Sequence, residues 1–362
     1  MIDSCESCLR RTALVAALAP RIERAATRGG GSQARQILAL SDRKLVAAMG
    51  LERSPLRGDE PEQISGTAQQ AGMWAVCRHA EPYPAPLADL GGERPAVLFG
   101  IGRRKLVEAF GGSAVTIVGA RRASSYGRAT AYALALPLAS AGLSVISGMA
   151  SGVDIAAHRG ALDAGGQTVA VLGTGADVPY PVGERSTYER IARTGAIVSE
   201  MPPGSRPYRW SFPARNRIMA ALGSMTVVVE AARRSGSLIT AEMAQDLARD
   251  VGAVPGRVDG RLADGPNALL ADGAILIRDA QDVRDAVLGP GHITADELTQ
   301  EHLDPELDAV LEAVEGGAGT PDQVAERTSL GASAAAAALA RLEVIGRIAC
   351  GPGGRFSPSG PR

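Results

Sequence analysis

The strongest constraint on the fold is a series of short aliphatic runs spaced along the middle of the chain. They are Val115–Val118, Leu143–Ile146, Thr168–Leu172, Ala196–Val198, Met225–Val229, Val251–Val254 and Ala274–Ile277. Most are rich in Val and Ile, and helical patterns separate them. A strand buried on both faces shows no polar alternation, so runs of this kind belong to a parallel sheet covered by helices on both sides. Residues 114–290 are therefore expected to form a doubly wound α/β unit.

The flanks have a different texture. Residues 1–50 carry Ala, Leu and Arg at helical spacing, interrupted by Gly29-Gly30-Gly31-Ser32, and predict two or more helices. Residues 51–70 look like surface loop, and Val97–Gly102 lie in an extended apolar run. Gly289-Pro290-Gly291 marks a break. Beyond it, Asp304–Val314 reads as an amphipathic helix. Thr320-Pro321 opens a second helix with an N-cap and a proline at its first position. Ser333–Ile345 is a third helix, and the Gly-rich stretch that follows reads as a two-stranded wing. The expected organisation is a helical, SAM-like domain over 1–70, an α/β domain over 71–290, a linker over 291–302 and a winged helix over 303–362.

Charge and composition exclude several function classes. Thirty-eight basic against 39 acidic residues leave a net charge of −1, so any site for a polyanion must be local. Lys44 and Lys105 are the only lysines, and neither sits in a GxxxxGK[ST] loop, which rules out that nucleotide cradle. Arg10-Arg11 and the apolar run after it imitate a signal peptide, but Asp3 and Glu6 spoil the charged end. No stretch approaches the ~20 apolar residues of a membrane span, and the reading is a cytoplasmic protein with no membrane partner. Cys5 and Cys8 form one CxxC, while Cys77 and Cys350 stand apart. The preferred reading is free thiols in a reducing compartment, with no metal and no cofactor.

The chemistry-bearing motifs fall at strand ends. Gly119-Ala120-Arg121 ends one run and leads into a helix, where backbone N–H groups favour anions and Arg121 can hold a phosphate. Ser147-Gly148 ends the next, ahead of Asp154 and His158, which are read as a structural hydrogen-bonded pair. Positions 201–229 contain no acid. They hold Arg206, Arg209, Arg215 and Arg217, with Tyr208, Trp210 and Phe212 interleaved. Arginines track phosphates and rings stack on bases, so this mixture suits single-stranded nucleic acid. Ser235-Gly236-Ser237 precedes another helix and predicts a hydroxyl-rich anion nest. These segments converge on one crevice, without a nucleophile, metal cluster or paired carboxylate. The third helix of the winged unit is mostly alanine, and Arg341 is its only basic residue. It suits packing or a protein partner better than duplex DNA.

Taken in order, the motifs resemble the DNA-processing protein A family, also called DprA or Smf. The likeness runs through Tyr83-Pro84, Ile117–Arg121, Ser125-Tyr126-Gly127, Ser147–Asp154, Ala157-His158, Val171-Leu172-Gly173, Tyr180-Pro181, Ser199-Glu200, Phe212–Arg217, Val229-Glu230-Ala231, Ser235-Gly236-Ser237, Thr240-Ala241 and Pro255-Gly256. It is strong over about residues 80–280 and looser at Gly265-Pro266-Asn267. The resemblance implies an extended Rossmann-like domain that binds single-stranded DNA, forms a homodimer and helps load RecA recombinase during transformation or recombination. It implies that Arg121, Arg215 and Arg217 hold phosphates, and that Ser147, Gly148, Gly236, Ser237 and Thr240 line the pocket. Phe212 and Asn216 then shape the wall or meet a base. On this reading the protein is not an enzyme. Two alternatives stand beside it. One is N-glycosidic bond hydrolysis with Glu230 as the carboxylate; the other is transcription regulation through the winged helix.

Overall fold

A computed structural model describes residues 2–26, 30–108, 110, 113–290, 305–344, 347–351 and 354–358. The chain forms two compact units, residues 1–292 and 293–362. The expected linker over 291–302 lies outside the described residues, as do Asp304, Ile345 and the tip of the expected wing.

The first unit is built on a ten-stranded sheet. Its strands are β1 (Ile2–Asp3), β2 (Trp74–Cys77), β3 (Val97–Gly102), β4 (Ala114–Val118), β5 (Ser144–Ser147), β6 (Thr168–Val171), β7 (Ala196–Ser199), β8 (Met225–Val228), β9 (Asp250–Ala253) and β10 (Ile275–Leu276). They lie in the order β1-β2-β3-β7-β6-β5-β4-β8-β9-β10. From β7 to β10 every pairing is parallel, as the aliphatic runs predict. Strand β3 runs antiparallel to both β7 and β2, and β1 pairs parallel with β2. The chain winds outward from β4 to β7 on one side, then returns to place β8 on the other side of β4. That reversal opens a crevice beyond the carboxyl ends of β4 and β8, where ligands bind in sheets of this type.

Helices cover both faces. They are α1 (Glu6–Ala26), α2 (Gly30–Ala39), α3 (Asp42–Ala48), α4 (Glu60–Gln70), α5 (Arg104–Glu108), α6 (Ser125–Ser140), α7 (Val153–Asp163), α8 (Arg185–Thr194), α9 (Ser211–Leu222), α10 (Gly236–Asp246), α11 (Asp264–Ala271) and α12 (Ala280–Leu288). Strand β4 shows how the faces divide. Val115 and Ile117 pack with Leu134 and Leu138 of α6 and Ala157 of α7. Ala114 and Val118 pack with Ile218 and Leu222 of α9 and Ala241 of α10. Between them, the Thr116 hydroxyl donates to the Met219 carbonyl of α9 at 2.8 Å.

Residues 1–70, expected as a domain of their own, share a core with the α/β unit. Leu14, Leu18 and Ile22 of α1 pack with Met201, Trp210 and Ala214. The Trp210 indole N–H donates to the Ala19 carbonyl at 3.2 Å. No described helix is long and apolar enough to cross a membrane.

The second unit has its own core of Leu307, Val310, Val324, Leu339, Leu342 and Ile348. Three helices, α13 (Pro305–Glu315), α14 (Pro321–Thr328) and α15 (Ala332–Val344), precede an antiparallel pair, β11 (Ile348–Cys350) with β12 (Phe356–Pro358). The Thr320 hydroxyl caps α14 by accepting from Gln323 N–H. This is the expected winged-helix arrangement.

The expected Asp154–His158 pair does not form. His158 is fully buried, and its Nδ1 lies 2.7 Å from the Thr168 hydroxyl. That hydroxyl donates its own proton to the Val145 carbonyl, so it accepts from Nδ1–H. Burial disfavours the imidazolium, aided by repulsion from Arg215, and lowers the His158 pKa from 6.5 to about 3. Between the two values the unfolded chain binds a proton that the folded chain refuses, so stability falls as pH falls. Between pH ~6.5 and ~5, above the ordinary carboxylate range, thermal unfolding should shift to lower temperature with falling pH. The His158→Gln variant should show a flatter profile, measured by circular dichroism. Identical slopes would contradict the assignment.

Candidate nucleic-acid interface

The crevice at the β4/β8 reversal has a volume of about 420 Å³. Three segments build it. The turn after β4 supplies Gly119, Ala120 and Arg121; the start of α9 supplies Phe212, Arg215 and Asn216; and the start of α10 supplies Ser235, Gly236, Ser237 and Thr240.

The floor is fixed by a buried cation. Arg215 is 4% exposed, and its Nη1 donates to the Gly148 carbonyl at 2.7 Å and to the Val171 carbonyl. Gly148 follows β5 and Val171 ends β6, so one guanidinium ties two strand ends. Glycine at 148 lets the guanidinium sit against the backbone, since a Cβ there would fall 2.3 Å from Arg215 Nη2 and displace it. Burial lowers the Arg215 pKa to about 10, with the nearby Asp154 carboxylate opposing the shift. It remains a cation at neutral pH. Asp154 is also buried, which raises its pKa, while Arg215 and the backbone bonds counter the rise. Its Oδ2 accepts from the N–H groups of Gly148 at 3.1 Å and Ala150 at 3.3 Å. Asp154 therefore holds the loop after β5.

One wall is aromatic and cationic. The Arg121 guanidinium lies 5.3 Å from the centre of the Phe212 ring, and the Tyr180 ring lies 5.2 Å from the other aromatic centre. The opposite wall is the first turn of α10. Ser235 caps it through Oγ, which accepts from Ser237 N–H at 3.4 Å and lies 2.8 Å from Ser237 Oγ. The Asn216 amide donates to the Gly236 carbonyl at 3.1 Å and joins the two helix starts. The Thr240 hydroxyl is buried and has no partner among the described residues. An unpaired buried hydroxyl costs about 1–3 kcal/mol, a debt that a ligand oxygen would remove.

The structure thus brings together Arg121, Phe212, Arg215, Asn216, Gly236, Ser237 and Thr240. Ser147 and Gly148 lie in the layer beneath, and the Ser147 hydroxyl donates to the Ile117 carbonyl at 2.6 Å. Arg217 is not brought to the crevice. It points away, 1% exposed, with Nη1 and Nη2 each 2.6 Å from an oxygen of Glu200 and Nε donating to the Glu93 carbonyl. Burial works against its charge, but Glu200 outweighs it and holds the guanidinium above its ordinary value. A cation so engaged cannot also serve a phosphate.

The interleaved aromatics divide in the same way. The segment is not extended: residues 209–210 form a turn and α9 begins at Ser211. Trp210 is buried against α1, Tyr208 packs beside it at 6.2 Å between centres, and only Phe212 reaches the crevice.

Other residues matter that the sequence reading left without a role. Arg122, Arg233 and Arg234 are next in sequence to the lining residues Arg121, Ala232 and Ser235, are exposed, and pair with no carboxylate among the described residues. The Arg-Arg pairs in the loops after β4 and β8 carried that signal. Glu230 is a brace: its two oxygens accept from Ser124 N–H at 2.9 Å and Ser124 Oγ at 2.6 Å. Asn267 pins the loop after β9, accepting from Gly256 N–H and donating to its carbonyl. A second crevice of about 760 Å³, bordered by Tyr126, Glu230, Arg257 and Arg261, adjoins the first at Leu262. The four cysteines are free, as expected, but Cys5, Cys8, Cys77 and His79 bring their ligand atoms within 4.8 Å of one another, a grouping the sequence reading did not expect. The second half of that signal is the Cys-x-His of Cys77 and His79, 69 residues beyond Cys8.

A family model described as DNA recombination-mediator protein A matches residues 74–288, and one described as the DprA winged helix domain matches residues 294–354. The chain is 42% identical over 267 residues to a putative DNA processing protein DprA of Mycobacterium tuberculosis, covering 72% of this chain and 68% of that relative. It is 35% identical to the Smf protein of Escherichia coli, covering 79% and 78%. Among solved structures, DNA processing protein A of Streptococcus pneumoniae matches with a TM-score of 0.60 and 30% identity over 78% of this chain and 97% of that one. The Helicobacter pylori protein, whose structure is described as showing a single-stranded DNA binding mode, matches with a TM-score of 0.54 and 32% identity over 59% and 96%.

The division between Arg215 and Arg217 can be tested. Arg217→Leu strands the Glu200 carboxylate and should destabilise by about 3–5 kcal/mol. Combining it with Glu200→Leu should recover most of that loss in denaturant unfolding. Failure of the double variant to recover would place Arg217 in another role.

Proposed function

The chain belongs to the DNA recombination-mediator protein A family, and we propose that it binds single-stranded DNA in the crevice between β4 and β8 without chemically altering it. The observation that carries this reading is a pocket with Arg121 on its wall and the buried Arg215 in its floor that ends at a helix N-terminus. Arg121 approaches the strand as a phosphate partner, and the exposed Arg122, Arg233 and Arg234, next in sequence to the lining residues Arg121, Ala232 and Ser235, add positive charge nearby. The Ser235 cap and the Ser237 and Thr240 hydroxyls offer donors to a second phosphate. Phe212 presents a ring at the mouth for a base, an interaction that every base can make. Arg215 acts from below, lending charge and shape without leaving the floor.

Two features favour binding over turnover. Asp154 is the only acid among the described lining residues, and it is committed to the Gly148 loop. Glu230, the carboxylate required for glycosidic cleavage, has both oxygens engaged by Ser124. The Helicobacter pylori relative's described binding mode supports the same reading. We further infer, from the family's recombination-mediator description, that the chain acts as a homodimer, shields incoming or recombining strands and helps load RecA recombinase.

The test is filter binding of labelled oligonucleotides across a salt series. Affinity should be tolerant of sequence and fall with salt. Arg121→Glu should weaken it roughly tenfold or more and flatten the salt slope. Phe212→Ala should cost about 1–3 kcal/mol with little change in slope. Wild-type affinity in a variant combining Arg121→Glu with Phe212→Ala would overturn the reading.

A further inference from the structure

The N-terminal residues and the loop after β2 meet at a cluster unrelated to the crevice. Cys5 and Cys8 flank the start of α1, Cys77 ends β2, and His79 lies in the turn that follows. The register of β1 against β2 explains the meeting. Ile2 pairs with Ala75 and Asp3 with Val76, so the two chains leave the sheet side by side. The Ala80 N–H bonds the Cys77 carbonyl at 2.9 Å, and that turn swings His79 back over the sulfurs.

The donor atoms stand at the separations that a tetrahedral ion requires along three of their six edges. Cys5 Sγ and Cys8 Sγ each lie 3.4 Å from His79 Nδ1, and Cys77 Sγ lies 3.8 Å from Cys5 Sγ. For Zn–S bonds of about 2.3 Å and a Zn–N bond of about 2.0 Å, the edges of a tetrahedron are about 3.8 Å between sulfurs and about 3.5 Å from sulfur to nitrogen. All four donors fall within 4.8 Å of one another. A disulfide does not account for the arrangement. Sulfurs 3.8 Å apart are well beyond the ~2.05 Å of a bond, and an S–S link would leave the imidazole and a third thiol without purpose. The Cys5 backbone N–H also points at Cys77 Sγ from 3.4 Å, the type of outer contact that orients a ligating thiolate. Cys8 and Cys77 are buried, while Cys5 and His79 close the cluster toward solvent.

We propose that Cys5, Cys8, Cys77 and His79 form a closed Cys₃His zinc site that clamps the first turn of α1 to strand β2. Thiolates with one imidazole in tetrahedral geometry select zinc. Four protein ligands leave no open position, so the role is structural. Binding releases the protons of the three thiols and closes the chain between residues 8 and 77. The metal thereby holds α1 at the edge of the sheet, at the opposite end of that helix from its contact with Trp210.

The test uses the full chain, purified without chelator from zinc-supplemented culture and dialysed. Elemental analysis should find about one zinc per chain. Replacement with Co²⁺ should give the visible ligand-field bands of a tetrahedral ion together with thiolate-to-cobalt charge transfer. Cys8→Ser and His79→Ala should lose the metal, whereas His79→Cys, which restores a fourth thiolate, should keep it. Cys350→Ser should be unaffected. A strong chelator should lower the melting temperature of the wild type and leave that of His79→Ala unchanged. Absence of zinc and of the cobalt spectrum in the wild type would overturn the proposal, as would a disulfide among these cysteines in the freshly purified chain. Zinc retained by both Cys8→Ser and His79→Ala would overturn it as well.

Discussion

The buried guanidinium of Arg215 is the interaction on which the crevice depends. It sits where strands β5 and β6 end, and strand ends leave carbonyls without ladder partners. Arg215 supplies donors to two of them, at Gly148 and Val171. An arginine in this position serves the fold, and on the proposed reading the ligand as well. Its hydrogen bonds join two strand ends across the floor, and its charge stays beneath the crevice. Asp154 tempers that charge without forming a direct ion pair, and uses its own oxygens on the backbone next to it. The result is a positive floor that cannot swing out to meet solvent.

Two residues further along, Arg217 does the opposite. The turn of α9 sends it to the other side of the helix, where Glu200 takes both of its terminal nitrogens. The arginines of the acid-free segment therefore split by helical phase. Arg215 faces the crevice, Arg217 faces the loop around Glu93, and Arg206 and Arg209 remain at the surface. A local charge of +4 counted along the sequence overstates what one face can present.

This split also shows what was legible from residues alone. The aliphatic runs specified the parallel sheet, because a strand buried on both faces has few ways to be written. The strand-end motifs specified the crevice, because a doubly wound sheet gathers its loops at one edge. The phase of α9 was not legible. The alternation of Tyr208, Trp210 and Phe212 would put every ring on one side only of an extended segment, whereas a turn at 209–210 sends Trp210 into the N-terminal helices. The grouping of Cys5, Cys8, Cys77 and His79 was not legible either. It depends on the parallel pairing of β1, a strand of two residues whose pattern carries no signal, with β2 some seventy positions away.

The contact between α1 and the start of α9 has a practical consequence. Glu23 accepts from the backbone N–H groups of Arg209 and Trp210, both at 3.2 Å, and Ala19 accepts from the Trp210 indole. Helix α9 has no side-chain cap of its own, so a carboxylate from a distant helix fills that office. Shortening the chain to its α/β part would look harmless on a domain diagram. It would in fact hydrate Trp210, release three donors and fray the first turn of the helix that carries Phe212 and Arg215. The N-terminal helices are better regarded as scaffolding for the crevice than as an appendage to it.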